Sequence, residues 1–477
     1  MSLWTSDEIV EVTGGKCNKA FAVDRLSMDS RDIQKGDLFL AFPGTQSDGH
    51  KYVAQALSAG AHGAIVNHVP EDVPDDAPLI IVEDTQKALE DLACAARSRL
   101  EDSVILAITG SVGKTSTKEM LACALSALGK THAAQGSYNN FRGVPFTLAN
   151  MPRDTEFGVF EFGMNHGGEI APLSQMVRPN IAIITTVEAV HIENFESEQG
   201  IADAKTEIFK GVEYDHEFDL PGIAILNHDN RWFDYLKEKA EDEVVIDVHD
   251  FGTKKGVDAR LISYENNKVK ITIHEAYDDT VNLEFDFYIP GTHMAMNATA
   301  VLMAIFRAGL DVQKAAAALS NLRPYRGRGE QHLVVLGDPD NPVTVIDESY
   351  NASPVAVKAA LKVMSELPCK GRRIFVMGDM YELGEGSTQM HVDLAQNIID
   401  AHIDIFYGCG QNVQKLMEAL PKEIQGQCLE DPHEIATIVA DHIEDGDMIL
   451  VKGSRGGGSR PRMYETVAAI LEKGKAS

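Results

Sequence analysis

The eight residues Thr109-Gly110-Ser111-Val112-Gly113-Lys114-Thr115-Ser116 lie between an apolar run at 104–108 and a segment with helical spacing at 117–121. A strand, a glycine turn and a helix in this order predict a phosphate-binding loop, because backbone N–H groups and the helix N-terminus then face the anion. In such a loop Lys114 reaches the outer phosphates and the Thr115 hydroxyl ligates Mg²⁺. The stretch therefore predicts a site for a nucleoside triphosphate.

The loop is shorter than a regular Walker A sequence. Ile108 stands where the first glycine of G-x-x-x-x-G-K-[ST] belongs, so the form present is T-G-x-x-G-K-T. A glycine-lysine turn also occurs in loops that bind nothing. The strand before this turn and the helix after it favour the phosphate-binding interpretation.

Length and charge narrow the class of protein. The chain of 477 residues suggests about three domains, and its 44% hydrophobic and 24% charged residues are typical of globular proteins. A net charge of −29 argues against nucleic acid or an anionic membrane as the main partner. An anionic substrate must therefore be bound by locally placed lysines, arginines and N–H groups.

The cysteines and the hydropathy pattern predict a cytoplasmic protein. The six cysteines lie far apart and form no C-x-x-C pair, so neither a zinc site nor a disulfide framework is expected. No basic-then-apolar signal opens the chain, and no apolar run approaches the roughly 18 residues that a membrane span needs. We expect a reducing cytosol and no membrane insertion.

The apolar runs divide the chain into three predicted domains of the α/β class. Residues 1–101 form a small α/β domain that mixes short strands with helices. Residues 102–321 alternate strands and helices, as in a mainly parallel P-loop-type sheet, and period-two runs at 244–289 predict an antiparallel insertion or edge sheet. Residues 322–477 form a second, doubly wound sheet of the Rossmann type.

Individual elements follow from the same patterns. Helices are predicted at 87–100 and 298–322, the second ending at the Arg323-Pro324 boundary. In doubly wound sheets ligands bind at the carboxyl ends of strands, so those ends should face the active site. Strands are predicted at 37–41, 63–66, 104–108, 157–162, 181–185, 222–226, 343–347, 373–377, 403–407 and 448–451.

Four residues of the central part are candidates for chemistry. Glu161 ends a strand beside the P-loop strand, where a carboxylate either holds Mg²⁺ together with Thr115 or caps a helix. His191 follows the next strand, as a ligand or as polar surface, and spacing says nothing special about Lys205. The Asn297 amide, near a helix start, either reads an adenine edge or caps the turn.

Several longer motifs together resemble the Mur ligase family, cytoplasmic ATP-dependent amino-acid ligases of peptidoglycan synthesis. The resemblance covers essentially the whole chain. The motifs are Asp29-Ser30-Arg31, Gly36-Asp37-Leu38-Phe39, Asp48-Gly49-His50, Gly136-Ser137-Tyr138-Asn139-Asn140, Gly143-Val144-Pro145, Glu161-Phe162-Gly163-Met164-Asn165-His166, Glu348-Ser349-Tyr350-Asn351-Ala352-Ser353-Pro354, Gly378-Asp379-Met380-Tyr381-Glu382-Leu383-Gly384 with Ser387 and His391, and Val451-Lys452-Gly453-Ser454-Arg455.

The resemblance implies a monomeric three-domain ligase. The first domain would hold the UDP end of one substrate, the central domain ATP, and the third the incoming amino component. Within the family the motifs are most similar to the member that joins D-alanyl-D-alanine to UDP-N-acetylmuramoyl tripeptide through an acyl phosphate, with release of ADP and phosphate.

Three other functions agree with only part of this sequence pattern. The sister ligase that adds the third amino acid, diaminopimelate or lysine, carries an Asp-Asn-Pro-Arg signature that is absent here. A folylpolyglutamate synthase-like ligase shares the short P-loop but not Asn139-Asn140 or the N-terminal motifs. A nucleotide switch without ligase activity does not need intact Lys114, Glu161, His191 and Lys205.

The resemblance also implies a role for individual residues. Lys114, Glu161, His191 and Lys205 would be catalytic. Thr115, Glu161, His191 and Lys205, the last as a carbamate, would hold two Mg²⁺ ions. ATP would contact Thr109, Gly110, Ser111, Val112, Gly113, Lys114, Thr115, Ser116, Asn297 at adenine, Arg328, and Asp347 or Glu348 at the ribose. The UDP substrate would contact Ser30, Arg31, Asn139 and Asn140.

Acceptor residues follow from the chemistry of a small zwitterionic dipeptide. Such a dipeptide needs a cation for its carboxylate and a carboxylate or carbonyl near its amine. Lys452 or Arg455 would supply the cation and Asp379 the carboxylate, although both are equally compatible with structural ion pairs. Tyr350 and Asn351 are further candidates. The chain departs from the family at His293-Met294, where His-Asn is common, and at Asp347-Glu348, where an aspartate usually precedes the serine.

Overall fold

Three helix-covered β-sheets divide the chain, with a further pair of short strands at the N-terminus. The computed structural model describes residues 2–44, 48–213, 221–243, 246–274, 280–454 and 463–476. Over these residues no helix is long and apolar enough to cross a bilayer.

The N-terminal part is built on a five-stranded sheet. Its order is β2-β7-β6-β5-β4, and β1 pairs separately with β3. The predicted helix at 87–100 begins two residues earlier, at Thr85, because the Asp84 side chain accepts hydrogen bonds from the N–H groups of Gln86 and Lys87. The elements are β1 Trp4–Thr5, α1 Ser6–Thr13, β2 Lys16–Cys17, β3 Ala22–Val23, β4 Arg25–Ser27, β5 Asp37–Leu40, α2 Val53–Ser58, β6 Gly63–Val66, β7 Leu79–Ile81 and α3 Thr85–Ser98.

The central part is a nine-stranded sheet of order β16-β15-β14-β13-β12-β11-β8-β10-β9. Strands β8, β10, β11 and β12 lie where the sequence predicts strands, whereas β9 was not predicted. The elements are β8 Val104–Thr109, α4 Lys114–Ser126, β9 Thr131–Ala133, α5 Gly143–Ala149, β10 Phe157–Glu161, α6 Ile170–Val177, β11 Ile181–Ile184, α7 Glu198–Thr206, β12 Gly222–Asn227, α8 Phe233–Glu241, β13 Ile246–Gly252, β14 Ala259–Glu265, β15 Lys268–His274, β16 Thr280–Asp286, α9 Thr292–Arg307 and α10 Val312–Leu319.

Two expectations for this part are refined by the structure. The antiparallel edge sheet is confirmed, but it consists of β14–β16, because β13 still pairs in parallel with β12. The prediction of a single helix at 298–322 was wrong, since the chain forms the two helices α9 and α10 instead. Gly309 adopts a left-handed φ of 69°, and the Asp311 side chain then caps α10.

The C-terminal part is a six-stranded sheet of order β17-β18-β22-β19-β20-β21, in which only β17 is antiparallel. The four predicted strands are present, and the edge strands β17 and β21 were not predicted. The elements are β17 Glu330–Val334, β18 Val343–Glu348, α11 Pro354–Glu366, β19 Arg373–Gly378, α12 Ser387–Val392, α13 Ala395–Asp400, β20 Ile405–Cys409, α14 Gln411–Glu418, β21 Gln425–Leu429, α15 Pro432–His442, β22 Met448–Lys452 and α16 Tyr464–Ala476.

One hydrophobic cluster spans the N-terminal and central parts, each of which also has a cluster of its own. A continuous cluster of buried side chains runs from Leu3 and Trp4 to Phe160 and Ile184. Buried Arg97 of α3 donates to Val177 O at 2.9 Å and pairs with Glu213 at 2.6 Å. These two parts therefore form one packed unit, to which the C-terminal part is joined at the cavity described below.

Candidate functional site

A cavity of about 800 Å³ lies where the carboxyl ends of the central and C-terminal strands meet. Its walls come from both sheets, as the strand-end rule predicts for doubly wound folds. The polar side chains that line it are Ser111, Lys114, Thr115, Ser116, Ser137, Asn139, Asn140, Glu161, Asn165, Thr185, Thr186, Glu188, His191, Asn227, Asp229, His293, Asn297, Arg328, Glu348, Tyr350, Asn351, Ser353, Tyr381, Glu382, Lys452 and Ser454.

The phosphate-binding loop has the predicted strand–turn–helix form. Strand β8 ends at Thr109, and Gly110 and Gly113 adopt φ values of 145° and 87° before α4 begins at Lys114. A Cβ at Gly110 would lie 2.0 Å from Thr185 Oγ1, so a larger residue cannot stand there. Thr185 Oγ1 in turn donates to Val112 O at 2.6 Å. The loop is thus held in shape before any anion binds.

Lys114 is folded back onto this loop. Its Nζ donates to the carbonyl oxygens of Gly110 at 2.7 Å and Ser111 at 3.2 Å. Burial lowers the pKa of Lys114, while the nearby carboxylate of Glu161 acts in the opposite direction. An entering phosphate would give this ammonium group a stronger anionic partner than the two carbonyls.

Glu161 presents a carboxylate oxygen without a partner. It ends β10, which pairs in parallel with the P-loop strand β8. Its Oε1 accepts a hydrogen bond from Asn139 Nδ2 at 2.7 Å, whereas its Oε2 is buried and makes no hydrogen bond to any described residue. A buried carboxylate in this state is unfavourable unless a cation neutralises it. With the neighbouring Thr115 hydroxyl, the arrangement fits a Mg²⁺ ion.

His191 lies at the start of the short 3₁₀ turn Ile192–Asn194 and adopts a left-handed φ of 60°. Its ring pairs through Nδ1 with a carboxylate oxygen of Glu382, which belongs to the C-terminal part and has a φ of 65°. Left-handed backbone is unfavourable for both residue types and persists only where the surroundings hold it. The pair therefore marks a built contact across the cavity.

Lys205 is buried in α7, with only 2% of its surface exposed. Its pKa lies well below the ordinary value, first because of burial and then because of the positive charge of Lys114. Glu207 and Glu161 act in the opposite direction. Lys205 thus belongs electrostatically to the site, although spacing in the sequence gave no sign of it.

The other predicted ATP contacts lie at different places around the cavity. The Asn297 amide lies against the loop, since a Cβ at Gly113 would be 3.1 Å from its Nδ2. The Arg328 guanidinium stacks on the Tyr350 ring at 4.1 Å. Glu348 lines the cavity and pairs with Lys452 at 2.9 Å.

Asp347 has a different environment from its neighbour Glu348. Its carboxylate is buried and accepts hydrogen bonds from Gly327 N at 3.0 Å and from the Ser349 hydroxyl at 2.5 Å. It does not line the cavity. Asp347 therefore holds the turn around Gly327, and Glu348 is the carboxylate that faces the ligand space.

The predicted UDP-substrate residues are divided between two places. Asn139 and Asn140 line the cavity, and Asn140 Oδ1 also accepts from Gly143 N at 2.8 Å at the start of α5. Ser30 and Arg31 lie in the N-terminal part, outside the cavity wall. The exposed Arg31 side chain pairs there with Asp29 at 2.7 Å.

The predicted acceptor residues are only partly brought together. Tyr350, Asn351 and Lys452 line the cavity. Asp379 does not line it: its carboxylate accepts from Val413 N at 2.9 Å in the first turn of α14, and its contact with the acceptor amine stays a prediction. Arg455 lies outside the described residues.

Among the cavity residues that were not predicted as site residues, Glu382 and Ser137 join the central and C-terminal parts of the chain. Glu382 lies in the 378–384 motif that carried the family resemblance, yet only the fold shows that it reaches His191. Ser137 accepts a hydrogen bond from the Tyr350 hydroxyl at 2.6 Å across the two parts of the chain. Contacts of this kind join segments that lie far apart in the sequence and leave no local pattern.

Comparisons with known proteins agree with this geometry. Family profiles match at 22–97 (Mur ligase family, catalytic domain), 108–305 (Mur ligase middle domain) and 327–455 (Mur ligase, glutamate ligase domain). The UDP-N-acetylmuramoyl-tripeptide–D-alanyl-D-alanine ligase of Rickettsia prowazekii is 34% identical over 95% of this chain and 97% of its own length. The chain belongs to the Mur ligase family.

Solved Mur ligase structures share the whole fold. MurF from Acinetobacter baumannii has a TM-score of 0.81 at 28% identity and covers 98% of this chain and 99% of its own. The MurF ligase from Thermotoga maritima, solved in complex with ADP, has a TM-score of 0.75 at 25% identity and covers 95% and 98%. The predicted family and α/β fold class are confirmed, and the prediction of ATP binding agrees with the ADP complex.

Proposed function

We propose that this Mur ligase joins D-alanyl-D-alanine to UDP-N-acetylmuramoyl tripeptide at the expense of ATP. The observation that carries the proposal is the cavity itself, where the P-loop Lys114 and the unpartnered Glu161 oxygen of the central part face Glu348 and Lys452 of the C-terminal part. Full-length similarity to ligases of that name supports the choice of substrates.

The reaction needs activation of a carboxylate. A tripeptide carboxylate oxygen attacks the γ-phosphorus of ATP, the bond to ADP breaks, and an acyl phosphate forms. Positioning and charge neutralisation account for most of the rate of such a step. Lys114 and Arg328 are placed to supply positive charge, since their ammonium and guanidinium groups share the cavity.

Mg²⁺ would neutralise charge on the nucleotide phosphates in this site. Glu161 Oε2, the Thr115 hydroxyl and His191 are the groups that would hold it. The fit rests on the buried, unpartnered Glu161 oxygen. Asn139 fixes the other oxygen of this carboxylate at 2.7 Å, so the free oxygen has a defined direction.

Lys205 is proposed to carry a carbamate. Its lowered pKa favours the neutral amine, which is the form that attacks CO₂. In that step an N–C bond forms, one C=O π bond of CO₂ opens to give a carboxylate, and the nitrogen loses a proton, so the neutral amine becomes an anion. A carboxylate at this place would reverse the repulsion between Lys205 and Lys114 and would add a ligand for a second Mg²⁺.

The second half of the reaction is acyl transfer. The neutral amine of the dipeptide attacks the acyl carbon, an amide bond forms, and phosphate leaves with the bonding electrons of the broken C–O bond. Lys452 and Asn351 lie on the C-terminal wall from which the dipeptide would approach. The N-terminal part, with Ser30 and Arg31, would bind the uridine end, and the reaction would take place in the cytoplasm with a monomeric enzyme.

Phosphate release measured on the purified protein tests this function. The assay contains ATP and Mg²⁺ with either UDP-N-acetylmuramoyl tripeptide and D-alanyl-D-alanine, or UDP-N-acetylmuramoyl dipeptide and diaminopimelate. We expect turnover only with UDP-N-acetylmuramoyl tripeptide and D-alanyl-D-alanine. Turnover with diaminopimelate on the dipeptide nucleotide, and none with D-alanyl-D-alanine, would assign the chain to the sister ligase, whereas ATP binding without turnover on any pair would indicate a nucleotide switch.

A further inference from the structure

Lys118 of α4 is a fully buried lysine that the proposed reaction does not use. Its Nζ donates to Ala134 O at 2.6 Å and Gly136 O at 2.9 Å, and it pairs with Glu119 Oε1 at 2.6 Å. An ammonium group has three donors, and here each has an acceptor. Lys118 thus ties residues 134–140, which we call the 134–140 loop, to the helix that begins at the phosphate-binding loop.

The 134–140 loop makes two contacts in the cavity. Asn139 Nδ2 donates to Glu161 Oε1 at 2.7 Å, which orients the carboxylate proposed for Mg²⁺. Ser137 Oγ accepts from the Tyr350 hydroxyl at 2.6 Å. The Gly136 carbonyl that Lys118 holds belongs to the peptide bond just before Ser137. A shift of that peptide would therefore move the hydroxyl that receives Tyr350.

Tyr350 extends this set of contacts to Arg328. The guanidinium carbon of Arg328 lies 4.1 Å from the centre of the Tyr350 ring, an arrangement that attracts the cation to the ring face. The charge of Arg328 also contributes to lowering the pKa of Lys114, so both cations face the same space. Tyr350, a predicted acceptor contact that lines the cavity, also connects Ser137 with Arg328.

We propose that Lys118 is a positioning residue, which sets the place of Arg328 in the nucleotide site through the 134–140 loop and Tyr350. The inference rests on the proposed function, because the position of Arg328 matters for the reaction only if the protein uses ATP for ligation. Lys118 does not line the cavity; it acts by fixing a loop at the cavity wall that receives the Tyr350 hydroxyl of the C-terminal part.

A double-mutant cycle tests the proposal. Tyr350→Phe removes the hydroxyl and keeps the ring beneath Arg328, and Lys118→Met removes the donors and keeps the length of the side chain. We expect each single variant to lower kcat/KM for ATP by about five- to tenfold, since each removes hydrogen bonds that hold Arg328 in place. The double variant should lose about as much kcat/KM as the more strongly impaired single variant, because both changes break the same connection between Lys118 and Arg328.

If the losses of kcat/KM in the two single variants multiply in the double variant, Lys118 does not act through Tyr350. That result would overturn the proposal. Should Lys118→Met fail to fold because Glu119 and two carbonyls lose their partner, Lys118→Gln, which retains an amide donor, replaces it in the cycle. The Ser137→Ala and Tyr350→Phe pair then tests the contact between the loop and the C-terminal part. Lys130→Met, an exposed lysine paired with Asp154, is the matched control and should leave kcat/KM unchanged.

The binding of ADP, measured by calorimetry on the same variants, separates this proposal from the proposed function. If the wild-type chain shows no ligase turnover, the function fails, but coupling between Lys118 and Tyr350 in ADP affinity would still support the positioning role. If turnover is normal and neither ADP affinity nor kcat/KM shows coupling, the positioning role alone is wrong.

Discussion

The Glu382 carboxylate of the C-terminal part contacts Nδ1 of the His191 ring of the central part, and both residues hold left-handed backbone conformations. Nearby, a Cβ at Gly384 would lie 3.3 Å from the Cα of Glu193, so the two segments are closely packed. The contact joins a residue proposed to hold Mg²⁺ with the loop at 379–386. Correct placement of the C-terminal part and correct orientation of His191 therefore depend on each other.

Substitution of Glu382 tests that dependence. Glu382→Gln retains the shape of the side chain and removes its charge, so His191 loses a charge-assisted contact. We expect kcat to fall by about tenfold. Steady-state phosphate release measures the change, and Glu385→Gln, in the same turn but exposed, is the matched control. Equal activity of the two variants would show that this contact has no part in the reaction.

Substitution of Glu161 should separate activity from stability. Glu161→Gln keeps the hydrogen bond from Asn139 but removes the buried charge, whose second oxygen has no partner. We expect turnover to fall by about a hundredfold or more. The melting temperature without nucleotide should stay the same or rise, because an unpaired buried charge is unfavourable. A lower melting temperature in calorimetry, with turnover retained, would contradict the proposed role.

Lys205 offers a test by chemical rescue. Lys205→Ala should lose most activity, because the proposed carbamate and its negative charge are removed. Short carboxylic acids added to the assay should restore part of it, since they can place a carboxylate in the vacated space. Lys210→Ala, an exposed lysine that follows α7, is the control. Near-normal turnover of Lys205→Ala without any added acid would exclude the carbamate.

The stability of the C-terminal part should depend on His391. His391 Nε2 accepts a hydrogen bond from Met380 N at 2.9 Å, and Nδ1 donates to Ser387 O at 2.7 Å, so the ring must be neutral. Burial lowers the pKa of His391. The unfolded chain therefore binds the proton more readily, and this contribution to stability is present above about pH 6.5 and is lost as the pH falls towards the folded-state pKa.

Denaturant unfolding between pH 5 and 8, roughly the range in which histidine titrates, measures this dependence. The wild-type chain should lose stability as the pH falls below the ordinary histidine pKa. His391→Gln, which has an acceptor but does not titrate, should be less stable at neutral pH and show a flatter profile. Identical pH profiles for the two proteins would show that groups other than His391 determine the pH dependence of stability.

Domain closure is expected around residues 322–328, between the packed N-terminal and central unit and the C-terminal part. ATP analogue and UDP substrate together should draw Arg328 towards the phosphates and exclude water from the acyl phosphate. Small-angle scattering with and without the ligands measures the change in the radius of gyration. A constant radius in all ligand states would argue against closure.

Local sequence patterns predicted the structural features that are determined by residues close together in the chain. The phosphate-binding loop, the strand that ends at Glu161 and the antiparallel edge sheet follow from periodicity and glycine placement. The rule that ligands bind at strand ends brought Glu348 and Lys452 to the cavity correctly. The same rule did not bring Asp379 into the cavity wall, because it does not show whether a carboxylate points into the cavity or accepts a hydrogen bond from a neighbouring helix, here α14.

Other features depend on contacts between distant segments. Lys205 shows no pattern in the sequence, and its lowered pKa arises from burial beside Lys114. Asp347 and Glu348 are adjacent, and only the turn at Gly327 decides which of them faces the ligand space. The break between α9 and α10 required the left-handed Gly309, which competes with good helical spacing on both sides.

The hydrophobic core that continues from Leu3 to Ile184 has a consequence for how the protein folds. Residues that the sequence assigns to two domains pack in one shared cluster, and each part also has a cluster of its own, at 39–79 and at 106–322. Helices α1 and α3 bury apolar side chains in the shared cluster, which includes residues of the central part. During translation, these helices should therefore complete their packing only when residues beyond 101 have been synthesised.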